Sequence, residues 1–268
     1  MARRQTEIHP PLAGLDRAWA YQSQAPFTFS DGSNVRCRDV FERRARLGSR
    51  PGLSRVLTQV IPLGNGGGGG DPSIPSTLVT INPSQDVWIR SGSPTSNQNG
   101  GVSNYQTLRI GFTSTGSFLI LRTLLHFDLT NLPANIVVDA ASLSMQSVLV
   151  TEPPLGAGTF FRLTRSDWLE GEATWNSYKT ASAWTSAGGD WDAAVSVAIP
   201  ALATQEEVAW EEFFGFAAIV QDALDNRSGH LHMIGKADNE ATEERVHFFS
   251  KDYGGNSPPE LNIRYHRD

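Results

Sequence analysis

The closing stretch of the chain restricts its fold more than any other segment. Residues 248–265 read FFSKDYGGNSPPELNIRY. An apolar and aromatic run ends in a polar loop with Gly254-Gly255 and Pro258-Pro259, and a segment of alternating character follows. Because proline lacks a backbone N–H and breaks helices, this loop separates two strands. The pattern predicts that the last two strands of a β-sandwich, joined by this loop, lie at residues 248–265.

The same pattern recurs through the C-terminal two thirds of the chain. Charged residues make up only 19%, and there are 25 glycines and 15 prolines, which is typical of a loop-rich β-protein. The segments rich in Val, Ile, Leu, Phe and Thr predict strands at 77–81, 86–89, 107–112, 118–128, 140–149, 158–164, 194–199, 230–235, 245–250 and 260–265. This number of short strands predicts an all-β fold, a jelly-roll-like β-sandwich.

A helical insertion interrupts the predicted strands. Residues 204–207 read TQEE, a capping box with Thr204 as N-cap and Glu207 at N3. Helical spacing continues through Ala209, Phe213, Ala217, Val220 and Leu224. Gly215 is expected to divide this segment into two short helices.

A glycine-rich segment divides the chain. Residues 64–70 read GNGGGGG, and a linker of this kind spans roughly 15 Å. Residues 1–70 carry ten arginines and five acidic residues, a formal charge of +5, whereas residues 71–268 carry −11. Opposite charges indicate two units with different neighbours. We therefore predict an N-terminal docking arm at 1–63, a linker at 64–76 and a β-sandwich domain at 77–268.

The N-terminal segment does not have the pattern of a compact domain. Prolines and turn residues interrupt it often, and it has too few apolar residues to offset the entropy of folding alone. It is predicted to be extended and to become ordered on a partner; a disordered tail is the alternative. The side chains expected to dock are Trp19, Phe27, Phe29, Arg36, Arg38, Arg43, Arg44 and Arg50. Arginine favours acidic protein surfaces here, with nucleic acid as the alternative.

Composition also excludes some classes of protein. The chain has one cysteine, Cys37, so it forms no internal disulfide. Its first residues lack the apolar core of a signal peptide, and no run reaches the roughly 18 apolar residues of a membrane span. We expect a protein made in the cytoplasm that does not enter a membrane.

Several motifs carry a resemblance to a known family. They include Asp86-Val87-Trp88-Ile89, Leu121-Arg122 with Phe127-Asp128-Leu129, and Asp167-Trp168-Leu169-Glu170 followed by Ala173-Thr174-Trp175-Asn176. Over residues 84–266 the chain resembles the bacterial DNRLRE domain family, which is also classed among carbohydrate-binding modules. The resemblance implies a β-sandwich in which Trp168 and Trp175 are core anchors.

No combination of residues predicts catalysis. Asp167, Glu170 and Glu172 lie close together in sequence beside an aromatic residue, as glycosidase carboxylates do. The family resemblance implies instead that they tie a structural turn. We expect a protein that is not an enzyme.

Metal binding has few candidates in the sequence. His230 and His232 share one face of a strand and are either a metal-binding pair or, more commonly, solvent-facing residues. Asp86 and Asp128 lie near strand ends, but no dense Asp/Asn loop is present. We predict no cofactor and no assigned metal ligand, with a structural calcium ion left open.

A loop rich in glycine and serine carries two tryptophans. Trp184 and Trp191 are the candidates for stacking on a sugar ring, because loops of rigid sandwiches often carry binding sites. The alternative is that these side chains cover the core.

The arm has a resemblance of its own, to the start of tailed-phage virion proteins. It rests on Pro11-Leu12-Ala13-Gly14-Leu15-Asp16, Ser33-Asn34-Val35-Arg36 and the Arg50-Pro51-Gly52-Leu53 that closes the segment. It implies a structural virion protein, such as a capsid decoration or cement protein or a head–tail protein, assembled in the host cytoplasm. The expected partners are capsid, portal or tail subunits and further copies of the chain. The alternative is a carbohydrate-binding module that adheres to host-surface glycan.

Overall fold

The computed structural model of the chain describes residues 19–22, 27–28, 34–41, 56–62, 76–99, 106–114, 119–148, 153–202, 208–254 and 257–267. Contacts between Cα atoms divide the chain into two units, Met1–Ser73 and Ile74–Asp268.

The N-terminal unit contains four strands: β1 (Trp19–Gln22), β2 (Phe27–Thr28), β3 (Asn34–Phe41) and β4 (Val56–Pro62). All three other strands pair with β3 in antiparallel register. The segment predicted as an extended arm therefore includes strands that pair with one another. Trp19, Phe27, Arg36 and Arg38 lie on these strands. The other predicted docking residues, Phe29, Arg43, Arg44 and Arg50, lie outside the described residues, and docking on a partner stays a prediction.

The C-terminal unit contains thirteen named strands and one helix among the residues that the structure describes. The strands are β5 (Thr77–Ile81), β6 (Gln85–Arg90), β7 (Thr107–Thr113), β8 (Leu119–Asp128), β9 (Ile136–Gln146), β10 (Gly158–Leu163), β11 (Ser177–Lys179), β12 (Ser182–Ala183), β13 (Trp191–Ile199), β14 (Trp210–Phe214), β15 (His230–Ala237), β16 (Glu244–Phe249) and β17 (Glu260–Arg267). The helix α1 spans Ala217–Asn226.

Two antiparallel sheets form this unit. The larger has seven strands in the order β13-β10-β15-β8-β7-β16, with β6 also paired to β8. The smaller has the order β14-β9-β17-β5, and β11 and β12 form a separate hairpin. The prediction of an all-β sandwich is confirmed. The loop that contains Gly254 and Pro258 connects β16 in the large sheet to β17 in the small one.

The main core contains side chains from both sheets. Alternate residues of β8, Leu125 and Phe127, belong to it, and so do Leu143 of β9 and Ile263 of β17. The helix adds Val220 and its apolar neighbours to the same cluster. Burial of this set excludes water from the space between the sheets, which stabilises the sandwich.

A second core cluster covers the other face of the large sheet. It includes Leu124, which alternates with Leu125 on β8, and Ile234 of β15. Three tryptophans from the connection between β10 and β13 lie in this cluster: Trp168, Trp175 and Trp184. That connection therefore packs on the outer face of the sheet, since side chains along a strand alternate between its two faces.

Of the two helices predicted around Gly215, the first was wrong over the residues that the structure describes, and the second corresponds to α1. Residues 208–209 are not helical and β14 follows them, whereas 204–207 lie outside the described residues. Phe213 is buried in the main core and its neighbour Phe214 is 62% exposed, which is the alternation of a strand paired with β9. Gly215, with a φ of 99°, ends the strand, and α1 begins two residues later. The sequence around Phe213 has an apolar spacing that fits a helix, but a few apolar residues can give this spacing by chance. Here the pairing of β14 with β9 decides the structure, and the segment is a strand.

Candidate functional site

The connection between β10 and β13 forms a shallow groove at the surface. Its volume is about 330 Å³, and its lining consists of Thr164, Thr185, Ser186, Gly189, Asp190 and Trp191. These residues define the Trp191 groove. Aromatic, hydroxyl and carboxylate groups thus meet at one open site.

Asp190 shapes the loop that forms this groove. One of its carboxylate oxygens accepts a 2.7 Å hydrogen bond from the Thr185 N–H, and the other accepts one of 2.8 Å from the Ser186 N–H. The Thr164 N–H donates to the Asp190 carbonyl at 3.0 Å. Gly188 and Gly189 turn the loop with φ values of 94° and 113°, which favour glycine. The loop is therefore held by hydrogen bonds to the side chain and carbonyl of Asp190, and Thr185 and Ser186 on it are exposed.

Trp191 is the aromatic side chain of the groove, and it is half-buried. Its indole lies 5.9 Å from the ring of Phe161, 4.9 Å from the Arg122 guanidinium carbon and 6.0 Å from the Lys236 ammonium. Cations over an indole are attracted by the negative face of its ring. These contacts fix the ring while it remains part of the groove lining.

Trp184, the other predicted sugar-stacking residue, has a different environment. Its side chain is only 4% exposed and belongs to the second core cluster. Its indole N–H donates a 2.9 Å hydrogen bond to the Thr174 carbonyl, and its ring lies 5.5 Å from that of Tyr178. A sugar ring has no face of this indole on which to stack, so Trp184 covers the core, as the alternative interpretation holds.

The three carboxylates with glycosidase-like spacing are used in structural contacts. Asp167 pairs with the Lys179 ammonium at 2.5 Å, a bond that lowers the pKa of Asp167. The Thr180 N–H donates to Glu172 at 2.6 Å and lowers the pKa of that carboxyl. Glu170 accepts the Asp86 N–H at 3.0 Å. Each group ties the loop, and the lowered pKa values of Asp167 and Glu172 do not suit a general acid, which needs a raised pKa.

Carboxylates of Asp86, Glu170 and Asp252 lie together, with oxygen atoms within 4.8 Å of one another. The Lys251 ammonium lies 2.9 Å from Glu170 and 2.8 Å from Asp252, so it supplies positive charge to the group. Asp86 is buried and accepts hydrogen bonds from Ser250 Oγ at 3.0 Å and from the Lys251 N–H at 2.7 Å. Burial raises the pKa of Asp86 to about 7. The predicted alternative of a structural calcium ion stays a prediction.

His126 joins the two histidines singled out in the sequence. His126 and His232 are paired across β8 and β15, and their rings stack at 3.9 Å. His126 Nε2 lies 3.2 Å from His230 Nδ1, and Ser84 Oγ lies 2.8 Å from His126 Nδ1. His232 is only 6% exposed, so the solvent-facing interpretation was wrong for it. Within the described part of the chain, the three imidazoles do not form a metal-ligating group.

Desolvation governs the charge of this histidine cluster. Burial, with a second contribution from His230, lowers the pKa of His126 to about 4. Burial and the neighbouring His126 lower the pKa of His232 to about 3. Both imidazoles are therefore neutral near pH 7, and the cluster acts as a packing element under the 164–191 connection.

Sequence reasoning missed most residues around the groove. Arg122 and Asp190 were not assigned to any site, although Asp190 follows directly on a Gly-Gly pair and precedes Trp191. A Gly-Gly-Asp-Trp run is a local signal for a tight loop that presents an aromatic side chain. Arg122 gives no such signal because its neighbours come from other segments.

The fold and the groove define an all-β sandwich with a tryptophan in a surface groove. The sequence profile of carbohydrate-binding module family 96 matches residues 77–265. The chain belongs to this family. No curated protein matches the chain.

The match bears on two of the interpretations made from the sequence. It lies within the C-terminal unit and supports the carbohydrate-binding alternative better than the virion hypothesis, which rests on the N-terminal segment. The match confirms a carbohydrate-binding-module-like domain, whereas the resemblance to the DNRLRE family stays a prediction. No helix in the described part of the chain is long and apolar enough to cross a membrane.

Proposed function

We propose that residues 77–265 form a carbohydrate-binding domain and that the Trp191 groove is its binding site. The observation that carries this proposal is that half-buried Trp191, at the start of β13, lines the groove next to a loop held by Asp190. A rigid aromatic side chain offers a flat apolar surface at low entropic cost. The C–H face of a sugar ring is a suitable partner for that surface.

The polar lining of the groove supplies the remaining recognition. Thr164, Thr185 and Ser186 are exposed, and their hydroxyl groups both donate and accept hydrogen bonds. The Asp190 carboxylate accepts two backbone N–H groups and lies 3.8 Å from the Arg165 Nε, and 10% of the side chain is exposed. Sugar hydroxyls require this mixture of donors and acceptors. A volume near the lower end of the roughly 300–1,000 Å³ range of ligand sites favours a short glycan segment or a chain end.

The test is a glycan array followed by titration of the captured glycan. We expect wild-type protein to bind one class of glycan and Trp191→Ala to lose most of the signal, since the aromatic platform is gone. Phe214→Ala is the matched control, because Phe214 is 62% exposed and lies on β14, outside the groove lining. Equal binding by wild type and Trp191→Ala would remove the groove as the site, and a silent array would count against glycan binding altogether.

The proposal extends to the assembly in which the domain acts. A non-catalytic module of this kind serves adhesion to surface glycan, and the N-terminal unit would connect it to a larger assembly. Attachment to a tailed-phage virion through residues 1–63, as an oligomer, is our prediction for that assembly. Particles that lack the protein should take up the full chain and reject a chain without residues 1–64; equal uptake of both would exclude an N-terminal attachment.

A further inference from the structure

Arg122 is a buried cation beneath the Trp191 groove, and all of its nitrogen atoms have partners. Its side chain lies on β8 and the residue is 7% exposed. Nε and Nη2 donate to the two oxygens of Glu240 at 2.7 and 2.8 Å, and Nη1 donates to the Gly188 carbonyl at 2.8 Å. A bidentate pair of this kind fixes the plane of the guanidinium.

The fixed guanidinium lies against two indoles. Its central carbon is 4.7 Å from the Trp175 ring and 4.9 Å from the Trp191 ring. Trp175 is a core residue, with 9% of its surface exposed, whereas Trp191 lines the groove. Arg122 therefore connects the second core cluster to the aromatic surface of the proposed site.

The backbone of the groove loop packs closely against the Arg122 guanidinium at Gly188. A Cβ atom at Gly188 would lie 2.5 Å from Arg122 Nη1 and 2.7 Å from the Trp175 ring. The Gly188 N–H donates to the Trp175 carbonyl at 2.6 Å. The loop thus approaches as closely as glycine permits, and its position depends on where Arg122 is held.

We propose that Arg122, held by Glu240, is a positioning residue for glycan binding. It sets the orientation of Trp191 and the course of residues 185–190 without touching the glycan. This inference rests on the proposed function of the groove. Glu240 belongs to the segment between β15 and β16, so that segment also controls the site although it contributes no lining residue.

The Arg122→Lys variant distinguishes the positive charge of Arg122 from the geometry with which its guanidinium holds Trp191 and the loop. Lysine keeps the positive charge but lacks the planar fork that bonds both oxygens of Glu240 while stacking on an indole. Glu240→Gln keeps the size of the partner and removes its charge. Both changes should therefore disturb the loop more than they disturb the sandwich core.

The experiment uses the full chain and two readouts. The first is the affinity for the array glycan with the strongest Trp191-dependent signal. We expect Arg122→Lys and Glu240→Gln to weaken it by about tenfold or more, equivalent to about 1.4 kcal/mol. Met145→Ala is the control for lost stability, because Met145 is fully buried in the main core between the sheets. It should lower the melting temperature and leave the affinity within about twofold of wild type.

The second readout needs no glycan. Acrylamide quenching of wild type and of each variant is compared with the same protein carrying Trp191→Phe as well, and the difference isolates the emission of Trp191. We expect this emission to become more accessible in Arg122→Lys and in Glu240→Gln, and unchanged in Met145→Ala. If Arg122→Lys fails to fold, Glu240→Gln decides.

The outcomes distinguish the two proposals. Loss of binding in Trp191→Ala together with wild-type affinity in both Arg122→Lys and Glu240→Gln would overturn the positioning role and leave the groove as the site. Unchanged quenching of Trp191 in both variants would overturn it as well, whatever the array shows. Wild-type binding by Trp191→Ala would instead defeat the proposed function.

Discussion

The two faces of the seven-stranded sheet are covered in different ways. On the inner face, Leu125 and Phe127 of β8 pack into a core that the second sheet and α1 complete. On the outer face, Leu124 lies among tryptophans of an irregular connection, with buried Arg122 and His126 on the same strand. One strand therefore contributes mainly apolar side chains to the core on one side, and apolar, charged and imidazole side chains to a mixed layer on the other.

The difference lies in what each layer needs. Apolar packing is non-directional, so the inner face depends mainly on volume and area. The outer face buries ionisable groups, and each of these requires a specific partner or a neutral state. Arg122 has Glu240, and His126 is kept neutral by its surroundings. The proposed binding groove is built on the face that depends on specific partners.

The largest effect is expected from a volume change on the inner face. Phe127 is fully buried, and Phe127→Ala should destabilise the domain by about 3–5 kcal/mol, because a cavity remains where the ring was. Urea denaturation of the variant and wild type measures this difference. A loss below about 1 kcal/mol would mean that the inner face is not the tightly packed layer described here.

Acid should affect the outer face through its histidines. The pKa values of His126 and His232 fall from the ordinary 6.5 to about 4 and about 3, and that of His247 on β16 falls to about 3. Between pH 6.5 and 4 the unfolded chain binds more protons at these sites. Their contribution to stability is thus complete above pH 6.5 and is lost as the pH falls towards 4.

Asp86 opposes this trend over part of the range. Burial raises its pKa to about 7, so the folded chain holds a proton there between about pH 4 and 7, and that term gains stability as pH falls. The three histidines together lower the free energy of unfolding by more than Asp86 raises it, so stability falls between pH 7 and pH 5. The urea midpoint should therefore be lower at pH 5 than at pH 7, and His232→Leu should reduce this drop. An identical drop in the variant would show that His232 does not sense pH.

The smallest effect is expected where the outer face loses one directional bond. Trp184→Phe keeps an aromatic ring and removes the indole N–H that bonds the Thr174 carbonyl at 2.9 Å. We expect a loss of about 1–2 kcal/mol and an affinity for glycan close to that of wild type. Thermal melting and glycan titration measure both quantities. A loss of glycan binding would return Trp184 to the site and contradict its placement in the core.

Local patterns predicted the strands well. The segments predicted at 77–81 and 107–112 coincide with β5 and β7 to within one residue, because alternation of apolar residues is a local property. β14 was missed, since Phe213 and Ala217 fit a helical spacing as readily as the end of a strand and the start of a helix. The short hairpin of β11 and β12 has too few residues to give a pattern.

The sequence predicted one half of the candidate site. Trp191 and Trp184 were both selected because they lie in a loop rich in glycine and serine, although Trp184 is buried. Composition of a loop does not say which of two tryptophans turns inward. That choice depends on the Thr174 carbonyl and the ring of Tyr178, which belong to the loop's own folded form.

By itself the sequence determined the fold class, the approximate positions of most strands, and the loop of Gly254 and Pro258 that leads from β16 to β17. These follow from alternation, β-propensity and the backbone limits of glycine and proline, which act over a few residues. Only the tertiary structure decided that this loop crosses between sheets, that Glu240 reaches Arg122 over a separation of 118 residues, and that Trp191 is left at the surface. Contacts over such distances depend on packing of the whole domain, and no local pattern encodes them.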